Sequence, residues 1–279
     1  MATESKPMKP IPIVNRKSPI ANGWAFTLVE LLTVIATIAI LAALLMPVLS
    51  TARIHAQKTQ ARLQMSDLVT AIQNYDSAYS RMPIPAAEQQ AAEGTPQQNA
   101  GIAGNFTFGG TFQTPVGPTS IGTPVPANNT VSNNSDVIAI LMDLTNYPGT
   151  NALTVNVNHQ KNPQQTIFLN AKLVAYPNLP GVGPDLVYRD PWRNPYIITM
   201  DLNDDNRCMD AFYCRQAASQ QDNQAGFNEL NNSADPAGVG DHFAYHGNVM
   251  VWSAGPDGRV DLTKNAINGV NQDNVLSWQ

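Results

Sequence analysis

The chain reads Gly23-Trp24-Ala25-Phe26-Thr27-Leu28-Val29-Glu30 and continues as an apolar run to Leu49, in which Glu30 is the single charged residue. Residues 28–49 are long enough to cross a bilayer as an α-helix, because about 20 apolar residues with a rise of roughly 1.5 Å each span the hydrocarbon layer. The sequence therefore predicts a transmembrane helix near the amino terminus.

The residues before this helix have the order of a processing site. A basic start lies within residues 6–17, and the small residues Gly23 and Ala25 follow it. An ordinary secretory signal places its apolar part before the cleavage point and loses it. Here the small residues come first, so cleavage after Ala25 would remove residues 1–25 as a leader and leave the anchor on the mature chain. Cleavage after Gly23 is the alternative.

The charge distribution predicts the orientation of the anchor. Lys and Arg concentrate on the cytoplasmic flank of membrane helices. The basic residues lie in the leader and none lies in the first turns of the helix. We therefore expect the leader in the cytoplasm and the rest of the chain on the opposite side of the inner membrane, as a periplasmic head with a single membrane span.

The segment resembles the N-terminal segment of type IV pilins and type II secretion pseudopilins, because it reads Phe26-Thr27-Leu28-Val29-Glu30-Leu31-Leu32 before further apolar residues. In that family a prepilin peptidase cuts before the Phe and methylates the new amine, and a Glu four residues downstream is needed for assembly. The resemblance implies prepilin cleavage between Ala25 and Phe26, N-methylation of Phe26 and an assembly role for Glu30. The family usually has Gly where this chain has Ala25.

Glu30 also has a physical reason to seek a partner. An acidic residue at the centre of a membrane helix costs on the order of 2.5 to 3.5 kcal/mol, and less near the helix end. The amine of Phe26 in a neighbouring subunit is the obvious cation, since the two residues lie one helical turn apart, about 6 Å along the axis. The alternative is that Glu30 reaches the lipid headgroups.

A helical pattern continues beyond the membrane segment. Apolar residues recur at steps of three to five positions with charged residues between them, namely Leu63, Leu68, Ile72, Tyr75 and Tyr79. This spacing predicts one helix of roughly 50 residues, about 75 to 80 Å long. Residues 26–50 would form the transmembrane and assembly helix, and residues 51–82 the exported half.

Pro47 interrupts this predicted helix. Proline removes one backbone hydrogen bond and crowds the carbonyl four residues before it, so we expect a kink. The family resemblance implies that Pro47 marks a segment that loses helicity during assembly. A simple bend of the membrane helix is the alternative.

The remaining sequence predicts a mixed head. Residues 83–135 are rich in Pro, Gly, Asn, Gln and Thr, which predicts a long polar loop region. Within the globular head, residues 136–279, Asp136 is expected to cap a helix over 137–144. Strands are predicted at 153–157, 166–175, 196–200 and 249–253. The fold class is therefore α+β, with one long N-terminal helix packed on a small, mainly antiparallel sheet.

A second resemblance narrows the family. The head contains Asp190-Pro191-Trp192-Arg193-Asn194-Pro195-Tyr196 and, later, Val249-Met250-Val251-Trp252-Ser253-Ala254-Gly255-Pro256-Asp257-Gly258. These segments are similar to a strand and the C-terminal loop of the major pseudopilin of type II secretion. The family's usual Gly after Trp is Arg193 here.

The same resemblance implies a calcium site, because many heads of that group hold Ca²⁺ in the C-terminal loop. Asp257 matches an acidic ligand position, but Met250 stands at another and cannot bind a hard cation. A separate candidate is Asp201, Asn203 and Asp205, whose alternating side-chain oxygens suit calcium. The alternative for that segment is a solvated acidic turn.

The cysteines and histidines offer further sites. Cys208 and Cys214 both lie in the exported head, where a disulfide can form, and the alternative is a pair of reduced thiols. His242 and His246 have the spacing of zinc ligands on one helical face, although their turn-rich surroundings favour surface residues.

The sequence contains no catalytic signature, which indicates a structural protein and not an enzyme. The net charge of −5 argues against a broad nucleic-acid surface. The expected function is a pseudopilus subunit that serves protein transport in a type II secretion-like machine. Its partners would be the prepilin peptidase, further copies of itself, other pseudopilins and the assembly platform. The alternatives are a type IV surface pilus subunit and a membrane-tethered ligand-binding protein.

Overall fold

A computed structural model describes residues 26–93, 104–126, 128–222, 225–232 and 240–278. The expected leader, residues 1–25 with Gly23 and Ala25, lies outside these described residues. The chain divides into two compact units, residues 1–50 and 51–279.

One of the described helices is much longer than the others. α1 (Leu28–Tyr79) has 52 residues and contains Pro47 in its interior, so the predicted single long helix is confirmed and the proline does not end it. The shorter helices are α2 (Ala86–Ala92), α3 (Ser135–Leu141) and α4 (Gln216–Ser219), and 3-10 turns cover Val157–His159, Phe227–Glu229 and Gly269–Asp273.

The strands are short and pair antiparallel. They are β1 (Asn105–Phe108), β2 (Gly110–Thr114), β3 (Gly117–Ile121), β4 (Pro124–Val125), β5 (Thr130–Val131), β6 (Gly181–Val182), β7 (Tyr188–Arg189), β8 (Ile197–Asp201), β9 (Arg207–Cys208), β10 (Asn231–Asn232), β11 (Phe243–His246), β12 (Val249–Ser253) and β13 (Val275–Leu276). The main sheet has the order β1-β8-β12-β13, and a smaller sheet has the order β10-β11-β9. The pairs β2–β3, β4–β5 and β6–β7 complete the described sheets. The fold is therefore α+β.

The second half of α1 packs against the main sheet. It buries residues three and four positions apart, which places them on one helix face. They are Ala61, Met65, Leu68, Ala71, Ile72 and Tyr75. Sheet residues such as Phe106, Ile198 and Val251 belong to the same core. Leu63, predicted to lie on the packing face, is 63% exposed instead.

The main sheet is buried on both faces. In β12, Val249 and Val251 enter the core shared with α1, whereas Met250 and Trp252 enter a second core. This alternation follows from the two-residue repeat of a strand. The second core holds Trp252 against Phe212 and Tyr213, at ring-centroid distances of 5.5 and 5.1 Å. Met250 is therefore a core residue.

Residues 83–135 do not form only a polar loop, as the composition predicted. Their described part contains α2, the edge strand β1 and the hairpin β2–β3. Phe106 and Phe108 are fully buried, with ring centroids 4.7 Å apart. A few aromatic residues within a polar segment are thus enough to anchor it to the core.

The head helix begins slightly earlier than predicted. α3 starts at Ser135, and Asn134 instead of Asp136 occupies the position before it. The buried Asn134 side chain donates to the carbonyls of Tyr188 and Tyr196, at 3.0 and 2.8 Å, and accepts from the amide of Tyr188 at 2.8 Å. Asn134 therefore ties the start of α3 to β7 and to the residue before β8.

The strand predictions were right in two places and wrong in two. β8 and β12 correspond to the runs 196–200 and 249–253. The runs 153–157 and 166–175 contain only isolated bridges and turns. The backbone there is held by side chains, since Asn162 donates to the carbonyls of Ile140 and Thr166 at 3.3 and 2.7 Å. Hydrophobic spacing does not reveal such amide contacts.

Candidate functional site

The start of α1 forms a reciprocal cap between Thr27 and Glu30. One carboxylate oxygen of Glu30, Oε2, accepts from the backbone amide and the hydroxyl of Thr27, both at 2.8 Å. The amide of Glu30 in turn donates to the Thr27 hydroxyl oxygen at 3.2 Å. This is a capping box, in which two side chains satisfy backbone amides that have no partner within the helix.

The Thr27–Glu30 contact is a local role for Glu30 that the sequence interpretation missed. The signal was visible, because Thr-x-x-Glu before an apolar run is the sequence pattern of a capping box. The cap occupies Oε2 and leaves Oε1 without a partner among the described residues. Phe26, the expected first residue of the mature chain, is 78% exposed.

The apolar residues after the cap have no protein cover within the described chain. The large apolar side chains of the first half of α1 are 48 to 83% exposed over residues 28–49. By length and composition α1 could span a membrane, and it is the one described helix that meets these criteria. An exposed apolar surface of this size requires lipid or protein around it.

The hydroxyl groups in this part of α1 are satisfied within the helix. Thr33 donates to the carbonyl of Glu30 at 3.0 Å, and Thr37 donates to that of Val34 at 2.9 Å. Ser50 donates to the carbonyl of Pro47 at 2.8 Å. These bonds lower the cost of placing hydroxyl groups in an apolar environment.

The two head segments that resemble the major pseudopilin meet in the structure. Asp190 accepts from the amides of Trp192 and Asn194 at 2.9 and 2.8 Å and from the hydroxyl of Ser253 at 2.5 Å. The Asn194 side chain donates to the carbonyl of Gly255 at 2.9 Å. Burial raises the pKa of Asp190 to about 6. Asp190 and Asn194 thus fasten the C-terminal loop to the turn before β8.

The backbone conformation at Arg193 favours Gly, the residue that pseudopilins usually have after this Trp. Its backbone φ is 81°, in the left-handed region where a residue with a side chain is strained and Gly is not. The Arg193 amide donates to the carbonyl of Asp190 at 2.9 Å, which closes the turn. The chain therefore keeps the turn geometry in spite of the unfavourable residue.

The segment predicted to bind calcium through Asp201, Asn203 and Asp205 is an acidic turn. Asp201 is fully buried and accepts from the amides of Asn203 and Asn206 at 3.1 and 2.8 Å. Asn203 donates to Asp205 at 3.0 Å. These bonds within the loop are those expected of the acidic-turn alternative, and calcium binding by the three residues stays a prediction.

Asp257, the other residue predicted to bind calcium, has the carboxyl group of Asp273 as a neighbour. Burial and the negative charge of Asp257 raise the pKa of Asp273 to about 6. Asp273 has a buried oxygen, Oδ1, without a hydrogen-bond partner among the described residues. No group of three or more His, Cys, Asp and Glu residues that could hold a metal occurs in the described ranges. A calcium ion here would need backbone or water oxygens beside Asp257 and Asp273.

The predicted disulfide between Cys208 and Cys214 is wrong, because both are free and buried. Cys208 donates to the carbonyl of Thr199 at 3.5 Å and packs in the second core, whereas Cys214 packs with Met209 and Ala244. Burial raises the pKa of the Cys214 thiol to about 12. Both thiols therefore belong to the packing of the head.

His246 is exposed and His242 partly exposed, in line with the favoured interpretation of both as surface residues and not zinc ligands. His242 lies just before β11 and His246 ends that strand. Four steps along a strand cover about 13 Å, which is too far for both rings to share one zinc ion.

Comparisons with known protein families, with curated proteins and with solved structures found no match to this chain.

Proposed function

We propose that the chain is a structural subunit of a type II secretion-like pseudopilus, in the family of type IV pilins and pseudopilins. In this proposal a prepilin peptidase removes residues 1–25 and methylates Phe26, and the mature chain polymerises through α1. The supporting observation is the exposed apolar half of α1, with its cap at Thr27 and Glu30 and its second half built into the head core.

Assembly begins with the chain in the inner membrane, its leader in the cytoplasm and its head in the periplasm. After cleavage, copies move laterally to the assembly platform, together with other pseudopilins. The amine of Phe26 and the carboxylate of Glu30 in a neighbouring copy attract each other and set the axial register. The ATPase that drives extrusion is a separate protein.

Polymerisation then covers the apolar surface. In the bilayer, helices gain little hydrophobic free energy by associating, because lipid tails are as apolar as the side chains. Once the chain leaves the bilayer, the same side chains would face water at a cost of about 25 cal/mol per Å². Packing against the α1 helices of other copies avoids that cost.

The capping contact allows the charge of Glu30 to be tested separately from its local role. Glu30→Gln retains a capping-box residue and removes the charge. Thr27→Ala removes the cap and retains the charge. We expect Glu30→Gln and Glu30→Lys to abolish filaments seen by electron microscopy, and Thr27→Ala to retain them with a frayed helix start.

The opposite pattern would overturn the assigned role of Glu30. Normal filaments from Glu30→Gln together with loss of filaments from Thr27→Ala would show that Glu30 acts only as a cap. Each variant is compared at equal membrane levels of the protein, so that a defect of insertion is not taken for a defect of assembly.

Deletion of the gene separates the secretion role from a surface-pilus role. The proposal predicts that exported soluble proteins accumulate in the periplasm while surface fibres, adhesion and twitching are unchanged. Loss of surface fibres with normal export would instead assign the chain to a type IV pilus.

A further inference from the structure

The head contains a groove that neither the cap nor the motif loops use. It lies beside the second half of α1, the β11–β12 turn and the C-terminal end of the chain, and its volume is about 370 Å³. This volume falls in the range of roughly 300 to 1,000 Å³ that is typical of small-ligand sites. The lining residues used below are Gln73, Tyr245, His246, Asn248, Ser277 and Trp278.

The groove has a neutral polar lining. Among the described residues, no Asp, Glu, Lys or Arg lines it, in contrast to the smaller pocket that contains Asp76, Arg81 and Asp204. His246 supplies the imidazole ring of this surface. Its Nδ1 lies 3.1 Å from the carbonyl of Asn206, and because a carbonyl only accepts, Nδ1 carries hydrogen and Nε2 of the neutral ring is an acceptor.

The lining offers both hydrogen-bond donors and hydrogen-bond acceptors. Gln73 donates to the side-chain oxygen of Asn248 at 3.4 Å, which leaves the Gln73 oxygen and the Asn248 amide hydrogens for a ligand. The Ser277 oxygen accepts from the amide of Val251 at 3.0 Å, so its own hydrogen can be donated. A hydroxyl group both donates and accepts, and it therefore matches such a surface.

Aromatic rings form the other part of the groove. The rings of Tyr245 and Trp278 have centroids 6.2 Å apart and planes tilted by 40°. The Tyr245 ring lies over Gly247, where an added Cβ would come within 2.6 Å of it. Rings of this kind combine a flat apolar face with a polar edge, which suits the apolar C–H face and the hydroxyl edge of a sugar ring.

The indole nitrogen of Trp278 is a second, independent indication that the groove binds a ligand. Its indole nitrogen is buried and has no hydrogen-bond acceptor among the described residues, although the side chain is only 7% exposed. A buried donor without a partner is unfavourable and uncommon in folded proteins. An oxygen-rich ligand in the groove could satisfy it after a small local adjustment.

We propose that this groove binds a neutral oligosaccharide. The ligand would stack on the partly exposed ring of Tyr245, with Trp278 behind it, and exchange hydrogen bonds with Gln73, Asn248, His246 and Ser277. The inference does not rest on the proposed filament, because the groove lies wholly within the unit formed by residues 51–279.

The test is a ligand-detected NMR titration of the full chain in lipid nanodiscs, with cellotetraose and maltotetraose as probes. Sugar-based detergents are left out because they would compete for the groove. We expect saturable binding of at least one probe, and roughly two- to tenfold weaker binding after Gln73→Ala or Asn248→Ala.

Asn74→Ala is the matched control, because Asn74 is the exposed neighbour of Gln73 on the same helix and does not line the groove. It should leave the affinity unchanged. The proposal is overturned if neither tetrasaccharide binds saturably, or if Asn74→Ala weakens binding as much as Gln73→Ala does. Normal filaments without sugar binding would remove this inference and leave the pseudopilus proposal intact.

Discussion

Arg193 has a backbone conformation that its side chain opposes. A residue other than Gly in the left-handed region costs on the order of 1 to 3 kcal/mol, and the φ of Arg193 is 81°. We expect Arg193→Gly to raise the free energy of unfolding by about 1 kcal/mol, as measured by denaturant titration of the detergent-solubilised chain. Arg193→Ala is the control, since it removes the same charge but keeps the strained Cβ. Equal stabilisation by both variants would contradict this explanation.

Asp136 makes the stability of the head depend on pH. Burial, with a further contribution from the charge of Glu88, raises its pKa to about 6 in the folded state from an ordinary value of 3.8. A raised carboxyl pKa means that the folded state binds the proton more tightly. The contribution of Asp136 is therefore fully present below about pH 4 and is lost as the pH rises through about 6.

Replacing this carboxyl should remove the pH dependence. We expect Asp136→Asn to raise the free energy of unfolding at pH 7 by about 1 to 3 kcal/mol and to flatten its decline between about pH 4 and pH 6. Thermal unfolding followed across that pH interval measures the effect. Asp67→Asn, at an exposed position of α1, should change little. A curve for Asp136→Asn that remains parallel to the native curve would refute the assignment.

At the scale of elements, substitutions in and near strand β1 can show whether residues 83–135 contribute to the stability of the fold. Phe108 is fully buried in the core shared with α1, whereas Val116 at the tip of the β2–β3 hairpin is 95% exposed. We expect Phe108→Ala to lower the free energy of unfolding by about 3 to 5 kcal/mol. Val116→Ala should change it by less than about 0.5 kcal/mol. Similar losses from both variants would be inconsistent with the assigned packing.

The elements also show which parts of the fold can be inferred from sequence. α1 was predictable because its apolar positions repeat over many turns, and β8 and β12 because they are short apolar runs. Strand β1 was not, because its buried Phe106 and Phe108 stand in a segment of loop composition. The runs 153–157 and 166–175 misled in the opposite direction. In the first, the Thr154 hydroxyl accepts from the amide of Asn156, and at the start of the second the Asn162 side chain donates to the carbonyl of Thr166.

The candidate site was only partly accessible to the same reasoning. The roles of Phe26 and Glu30 were implied by the resemblance to pilins and pseudopilins, but the local bond to Thr27 depends on a side-chain rotamer. For calcium, the structure adds Asp273 beside the predicted Asp257, because burial and internal hydrogen bonds decide which carboxylate oxygens lack a partner. The spacing of residues in the sequence shows neither the burial of a carboxylate nor its hydrogen bonds.

For the molecule as a whole, the calcium site that the resemblance implies at Asp257, with Asp273 beside it, predicts that calcium stabilises the fold. A ligand that binds only the folded state adds about 2.7 kcal/mol when its concentration is a hundred times its Kd. We expect millimolar Ca²⁺ to raise the Tm of the native chain and a chelator to reverse the rise. Asp273→Asn should abolish the response, whereas Asp205→Asn in the acidic turn should keep it. A full response in Asp273→Asn would assign calcium elsewhere.

The cap at the start of α1 has a consequence for the order of events during maturation. Thr27 and Glu30 both lie downstream of the expected scissile bond, so their hydrogen bonds do not depend on the leader. Under the proposed processing, the acceptor is already immobilised in the precursor and proteolysis contributes only the missing positive charge. Cleavage of the leader would then start polymerisation by supplying a positive charge, and the first turn of α1 would not need to refold.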